Sequence, residues 1–194
     1  MRTRLPLFLI AVSQLAVSIY GAGADTPVSL IVHFEQPGSE KAIAAIKSEL
    51  AEIWGDSKVK IDWRAAQSVA PGESFSDLIV VHFKGACRMD PRPELLDERG
   101  ALGYTHTVDG EIQPFSEIKC DRVKQAIRPA MLGEDFANGD ELLGRALGRV
   151  LSHELYHILT KTKHHQKSGV ARESLSGATL ISHELRFETS PSAR

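Results

Sequence analysis

The chain has little of what marks several common protein classes. It contains only two cysteines in 194 residues, and these lack the Cys-x-x-Cys spacing of a thiolate metal site. Its most apolar stretch, residues 5–20, is interrupted by Pro6, Ser13 and Gln14, which argues against a membrane-spanning helix. Basic residues form no run beyond Lys161-Thr162-Lys163, so we expect no nucleic-acid partner.

The N-terminal segment has instead the composition of a secretory signal peptide. Arg2 and Arg4 precede the apolar stretch, and Ala22-Gly23-Ala24 provides a small-x-small cleavage signal. We therefore predict that residues 1–24 are a signal peptide cleaved near Ala24, and that the mature protein is secreted or periplasmic without stable insertion in the membrane. An uncleaved membrane anchor is the alternative.

The mature part, residues 25–194, is long enough for one domain with its own hydrophobic core. Removing Arg2 and Arg4 from the 23 basic residues leaves 21 against 25 acidic ones, a net charge near −4. Cys87 and Cys120 both lie in this part, where an oxidising compartment and an even count favour a disulfide between them. Two unpaired, buried thiols are the alternative.

Hydrophobic periodicity predicts an α+β fold. It consists of a mixed twisted sheet with an edge hairpin, an N-terminal packing helix, a long helix and a C-terminal helix. An Asp109-Gly110 turn indicates the hairpin, and the first helix is capped by Ser39 and ends before Gly55. The predicted strands are 28–34, 59–63, 77–83, 101–107 and 111–118, and the later helices are 120–127, about 139–159 and about 175–185.

Three histidines are not expected to bind metal. His33 and His82 fall within predicted strands, where a lone histidine is more often a packed or edge residue, so we assign both a structural role. His183 is not expected to be a metal ligand, because the residue four positions later is Phe187 and not a second histidine.

Residues 153–157 read His-Glu-Leu-Tyr-His, the pattern His-Glu-x-x-His. The apolar spacing through residues 143–159 places it on a helix that Asn138 or Asp140 can cap. Two side chains four residues apart on a helix are separated by about 6 Å along the axis and about 40° around it, so both imidazoles can converge on one metal ion.

Zinc fits this pair of histidines. It binds neutral imidazole nitrogens, and a catalytic zinc site uses three protein ligands with the fourth position left for water. Glu154 projects to the side where that water would lie and can accept its proton as a general base. Tyr156 points away from the ligand face, so we assign it to packing.

The third ligand has several candidates. His165 follows the second motif histidine by eight residues, and His164 stands beside it. A different layout would take a carboxylate from a downstream glutamate. The glutamate candidates are Glu173, Glu184 and Glu188, of which Glu184 is expected on the exposed side of the C-terminal helix.

The order of these features resembles the metzincin clan of zinc metallopeptidases. The chain is also similar to short exported bacterial proteins of matrixin-like type, in which His-Glu-Leu-x-His is followed by Thr-x-x-His-x-x-x-Gly. Here that second segment is residues 162–169. The resemblance follows the layout of most of the mature chain and is specific over about residues 148–172.

This resemblance implies a zincin-like fold and a single catalytic domain in the mature part. It implies Zn²⁺ as the cofactor, with His153, His157 and His165 as ligands, His164 as the alternative third ligand and Glu154 as the base. The implied function is an exported zinc-dependent endopeptidase. Its substrate would be a peptide or protein, hydrolysed by water that zinc and Glu154 activate.

Two departures from the metzincin pattern affect the site. Metzincins usually have a glycine three residues after the second histidine and the third ligand three residues later. This chain has Thr160 and Lys163 there, so the third ligand must come later. Metzincins also have a methionine turn beneath the zinc, whereas here Ala171 stands at that place and the methionines of the mature part are Met89 and Met131.

Two other functions are compatible with the same residues. One is a non-catalytic exported protein in which zinc holds the long helix to the following loop, in a closed four-ligand site that includes His164. The other is a binding module with a degenerate peptidase fold, which would lose little on replacement of Glu154 by glutamine. No sequence feature indicates an oligomeric state.

Overall fold

The computed structural model describes residues 27–90 and 100–191, so the predicted signal peptide of residues 1–24 lies outside the described part of the chain. Within these residues, no helix has both the length and the apolar character needed to cross a membrane. Short 3₁₀ helices lie between several of the main elements. The main elements are β1 (Val28–Phe34), α1 (Glu40–Trp54), β2 (Ile61–Ala65), β3 (Leu78–Lys84), β4 (Gly103–Val108), β5 (Glu111–Lys119), α2 (Cys120–Ile127), α3 (Gly139–Thr160) and α4 (Gly177–Ile181).

The strands form one mixed sheet in the order β2-β1-β3-β5-β4. β1 runs parallel to β2 and β3, β5 runs parallel to β3, and β4 lies antiparallel to β5 at the edge. The β4–β5 turn has φ of 50° at Asp109 and 86° at Gly110, and positive φ at both positions suits a two-residue hairpin turn. The predicted α+β class is confirmed.

Side chains of the central strands alternate between two faces of the sheet. Leu30, Val81 and Phe83 are buried in a core that also contains apolar residues of α1, α2 and α3. His33 and His82 alternate with these residues and pair in register across β1 and β3, with ring centroids 5.0 Å apart. The two histidines thus contact each other on the face away from that core.

The helices α1 and α3 pack closely because glycines of α3 face α1. Gly144 and Gly148, one helical turn apart, are both buried. A Cβ atom added at Gly144 would lie 2.3 Å from the Ala42 carbonyl oxygen, and one at Gly148 would lie 2.9 Å from Cβ of Glu49. Beside them, Arg149 Nε donates to Glu49 Oε1 at 2.6 Å in a buried ion pair. These contacts fix the position of α3 in the fold.

Replacing Gly144 by alanine is expected to destabilise the protein, although alanine is the better helix former by up to about 1 kcal/mol. The added methyl group would overlap Ala42 and Ala45, and overpacking of this kind costs about 1–3 kcal/mol. Chemical denaturation followed by circular dichroism measures the change in the free energy of unfolding. Glu141→Ala is the control, because Glu141 is exposed on the same helix. A Gly144→Ala protein more stable than the wild type would contradict the close packing.

A disulfide joins Cys87, which follows β3, to Cys120, the first residue of α2. Both residues are fully buried. This is the pairing that the sequence favoured over two free thiols. The bridge closes a segment that contains the β4–β5 hairpin.

The second strand starts later than predicted. β2 begins at Ile61 rather than at residue 59. The Ser57 hydroxyl donates to the Trp54 carbonyl at 2.7 Å and accepts from the Val59 N–H at 3.1 Å. These bonds hold the chain in a turn up to residue 59, so that the strand can begin only after it.

The prediction of a C-terminal helix over about residues 175–185 is wrong in length. α4 covers only Gly177–Ile181. The buried Arg149 side chain donates to the Thr179 carbonyl at 2.8 Å and to Ser182 Oγ at 3.0 Å, and Ser182 leaves the helix with ψ of 163°. The helix therefore ends through contacts with a residue about 30 positions away, which its own apolar spacing does not indicate.

Candidate metal centre

The long helix α3 presents the His-Glu-x-x-His motif. It begins after Asn138, whose side chain makes no capping bond, while the Asp140 carboxylate accepts a backbone N–H from outside the helix at 2.6 Å. Lys161 ends the helix in the left-handed conformation, with φ of 51° and ψ of 38°, and its N–H bonds to the His157 carbonyl. The left-handed residue turns the chain out of the helix and into the loop that carries His165.

Three histidine side chains meet beside this helix. The ring centroid of His165 lies 5.1 Å from that of His153 and 4.9 Å from that of His157. One ring nitrogen of each lies within 4.8 Å of the others, and the Nε2 atoms of His153 and His157 are 3.1 Å apart. Nitrogens bound at about 2.05 Å around a tetrahedral centre lie about 3.3 Å from one another. The three side chains are therefore close enough to bind one metal ion.

The other candidate ligands lie outside this group. His164 is exposed, and its backbone N–H bonds to Thr162 Oγ1 at 3.1 Å. Glu173, Glu184 and Glu188 are also exposed, and none of them joins the histidine group within the described residues. Of the two adjacent histidines, the structure thus brings His165 to the motif.

Backbone carbonyls orient two of the three rings. Nδ1 of His153 lies 3.0 Å from the Val170 carbonyl oxygen, and Nδ1 of His157 lies 2.7 Å from the Thr162 carbonyl oxygen. Because a carbonyl oxygen can only accept, each Nδ1 carries the proton and each Nε2 has its lone pair free. The free lone pairs belong to the two Nε2 atoms that lie 3.1 Å apart, which is the arrangement of a metal-binding pair.

Burial keeps these two rings neutral. It lowers the pKa of His153 to about 4, with the hydrogen bond to Val170 acting in the opposite direction, and it also lowers the pKa of His157. Neutral imidazole is the form that binds metal. Neither ring therefore has to lose a proton before a metal ion binds near neutral pH.

Glu154 is a buried carboxylate beside the histidines. The residue is 5% exposed, and its Oε2 accepts a hydrogen bond from Thr105 Oγ1 at 2.7 Å. Burial raises the pKa of Glu154 to about 7, and the Thr105 hydrogen bond opposes that rise. A cation held by the histidines would favour the charged carboxylate. Burial and a bound cation would thus act on the pKa of Glu154 in opposite directions.

The histidines and Glu154 line a cavity of about 470 Å³. Cavities of about 300–1,000 Å³ are typical of small-molecule sites. Strand β4 forms part of the cavity wall and lies at the edge of the sheet. Within the described residues, the outer side of β4 pairs with no other strand, so another chain can pair with it there. Another part of the cavity wall is apolar and consists of Leu102, Ile112, Val150 and Leu175.

Residues 169–171 form a turn at the place where the resemblance to metzincins predicts a methionine turn. Val170 and Ala171 are fully buried, and Gly169 has φ of 74°. A Cβ atom at Gly169 would lie 2.3 Å from the Arg186 carbonyl oxygen, which itself accepts the Val170 N–H at 2.8 Å. The C-terminal segment therefore holds the turn whose Val170 carbonyl orients His153.

Met89 and Met131 lie far from the three histidines. A Cβ atom at Gly139 would contact both Met89 and Met131. Gly139 begins α3 and precedes His153 by 14 residues, roughly 20 Å along a helix. Neither Met89 nor Met131 therefore takes part in the site.

Sequence reasoning missed three groups of this site, which are the Thr105 hydroxyl and the carbonyls of Thr162 and Val170. The carbonyls have no sequence signal. Thr105 had a weak sequence signal, because a hydroxyl on the inward face of a strand needs a hydrogen-bond partner. The Tyr156 ring has its centroid 6.0 Å from that of Phe187, a packing contact, and 5.5 Å from that of the His157 ring.

Comparisons of the chain with protein-family models, with curated proteins and with solved structures find no match. The resemblance to metzincins stays a prediction.

Proposed function

We propose that this chain is an exported zinc-dependent endopeptidase with a zincin-like fold. The observation that carries the proposal is the meeting of three histidine nitrogens within 4.8 Å of one another beside a buried carboxylate, in a cavity walled by the edge strand β4. A metal ligand set, a proton carrier and a surface for an extended chain are the parts that peptide hydrolysis needs.

The donor set suits zinc. His153, His157 and His165 would hold the ion, and the carbonyls of Val170 and Thr162 would orient two of them as outer partners. No fourth protein ligand joins them within the described residues, which leaves room for water and substrate. When bound, zinc supplies a Lewis acid that makes water acidic near neutral pH and polarises a substrate carbonyl.

Glu154 moves the proton in this proposal. Its carboxylate accepts a proton from the attacking water and delivers it to the nitrogen of the scissile peptide bond, so that the C–N bond breaks with a neutral amine as leaving group. Burial raises the pKa of Glu154, and a cation held by the histidines would act in the opposite direction.

The substrate class is a peptide or protein in extended conformation. Such a chain can pair with the edge strand β4 through backbone hydrogen bonds. The apolar wall of the cavity, which includes Val150 and Leu175, would receive an apolar substrate side chain.

Export completes the proposal. Residues 1–24 are proposed as a cleaved signal peptide that sends the mature domain to a secreted or periplasmic location. The Cys87–Cys120 disulfide supports this, because disulfides persist in oxidising compartments.

The test is hydrolysis of casein and of a mixed-sequence fluorogenic peptide library by the zinc-loaded mature protein. We expect cleavage that a chelator abolishes and that one equivalent of zinc restores. One zinc per chain with no cleavage would favour instead the non-catalytic role, in which zinc only holds α3 to the loop that carries His165.

A further inference from the structure

Thr105 lies on the edge strand and contacts the carboxylate proposed as the base. Its Oγ1 is 2.7 Å from Glu154 Oε2 and 3.3 Å from the Glu154 backbone carbonyl oxygen. Because a hydroxyl has one proton, the shorter contact is the hydrogen bond. No other hydrogen bond reaches this carboxylate from the residues that the structure describes. Within the described residues, Thr105 is therefore the one hydrogen-bond partner of the Glu154 carboxylate.

An irregularity of the sheet lies at Thr105. The register of β4 against β5 shifts between Thr105 and Thr107, and bulges of this kind re-aim side chains next to active sites. Ser116, which pairs with Thr105, donates from its hydroxyl to the Tyr104 carbonyl at 2.9 Å. The Ser116 hydroxyl thus bonds to the backbone next to Thr105 and contacts neither the Thr105 hydroxyl nor Glu154.

We propose that Thr105 is a positioning residue that anchors one carboxylate oxygen of Glu154 and leaves the other free to exchange a proton. This inference rests on the proposed peptidase function. A glutamate side chain has several rotatable bonds, so without the anchor the carboxylate would spread over several rotamers. Fewer molecules would then hold it in the orientation that proton transfer requires.

Thr105→Val tests this role, because valine keeps the branched shape and lacks the hydroxyl. In the zinc-loaded enzyme we expect kcat to fall about 10- to 100-fold, the range for loss of a hydrogen bond to a charged group. Since Thr105 is not a metal ligand, KM and zinc affinity should stay within about twofold. Thr105→Ser keeps the donor and should restore kcat to within about threefold of the wild type.

Ser116→Ala is the matched control. It removes a buried hydroxyl from the same part of the sheet, where Ser116 bonds to Tyr104 and not to Glu154. We expect wild-type kcat for this variant. A loss equal to that of Thr105→Val would show that the strand conformation matters rather than the anchor, and would overturn the proposal.

A second readout does not need activity. In crystal structures of the zinc-loaded variants we expect Glu154 in several rotamers for Thr105→Val and in one for Thr105→Ser. A single, unchanged rotamer in Thr105→Val, or a wild-type kcat for it, overturns the positioning role. If the wild type cleaves nothing, the peptidase proposal fails, and the rotamer comparison still decides whether Thr105 positions Glu154.

Discussion

Replacing Glu154 by glutamine is expected to lower kcat for peptide hydrolysis by between about 100-fold and 10,000-fold, the contribution typical of a general acid–base group. Glutamine has nearly the shape of glutamate but cannot accept a proton. Zinc binding should remain at one ion per chain, since the three histidines are unchanged. Initial rates on a fluorogenic peptide that the wild type cleaves, with metal analysis of the same samples, measure both effects.

The control for this variant is Glu141→Gln, which makes the same chemical change on the exposed surface of the same helix. It should cleave as fast as the wild type. A Glu154→Gln protein that binds zinc and keeps more than a tenth of the wild-type kcat would show that another group carries the proton. That result would favour a mechanism without Glu154 as the base.

Replacing His165 by alanine is expected to weaken zinc binding by more than about 100-fold, since even loss of an outer partner of a ligand costs 10- to 100-fold. Replacing its neighbour His164 by alanine should leave zinc affinity within about twofold, because His164 is exposed and lies outside the histidine group. Competition with a chromophoric chelator at fixed pH measures both affinities.

The two neighbouring histidines serve as controls for each other. They share the loop and its exposure, so a general effect of shortening a side chain there would appear in both variants. Equal losses in the two variants would point to a closed four-ligand site and to a structural role for zinc. A larger loss for His164→Ala would overturn the assignment of the third ligand.

The parts of the site that the sequence could predict are local. His153 and His157 share a face of α3 because of helix geometry alone, and their spacing predicts this whatever surrounds the helix. The hairpin follows from Asp109-Gly110, whose two residues adopt the positive φ that the turn requires. The pairing of the disulfide could also be predicted, because the chain has only two cysteines.

The parts that escaped prediction depend on contacts between distant residues. Thr105 and Glu154 are 49 positions apart, and only the fold shows that they meet. The short length of α4 depends on Arg149, 30 positions before the Thr179 carbonyl that it binds. The metzincin resemblance had selected His165 over the adjacent His164, and the course of the loop after α3 brings that residue to the motif.

The most direct measurement is a crystal structure of the zinc-loaded mature protein, with the ion located by its anomalous scattering. We expect one zinc ion at about 2.0–2.1 Å from one ring nitrogen of each of His153, His157 and His165, with water as the remaining ligand on the side of Glu154. Zinc bound at another place, no bound zinc, or a fourth protein ligand that closes the site would contradict the proposed catalytic centre.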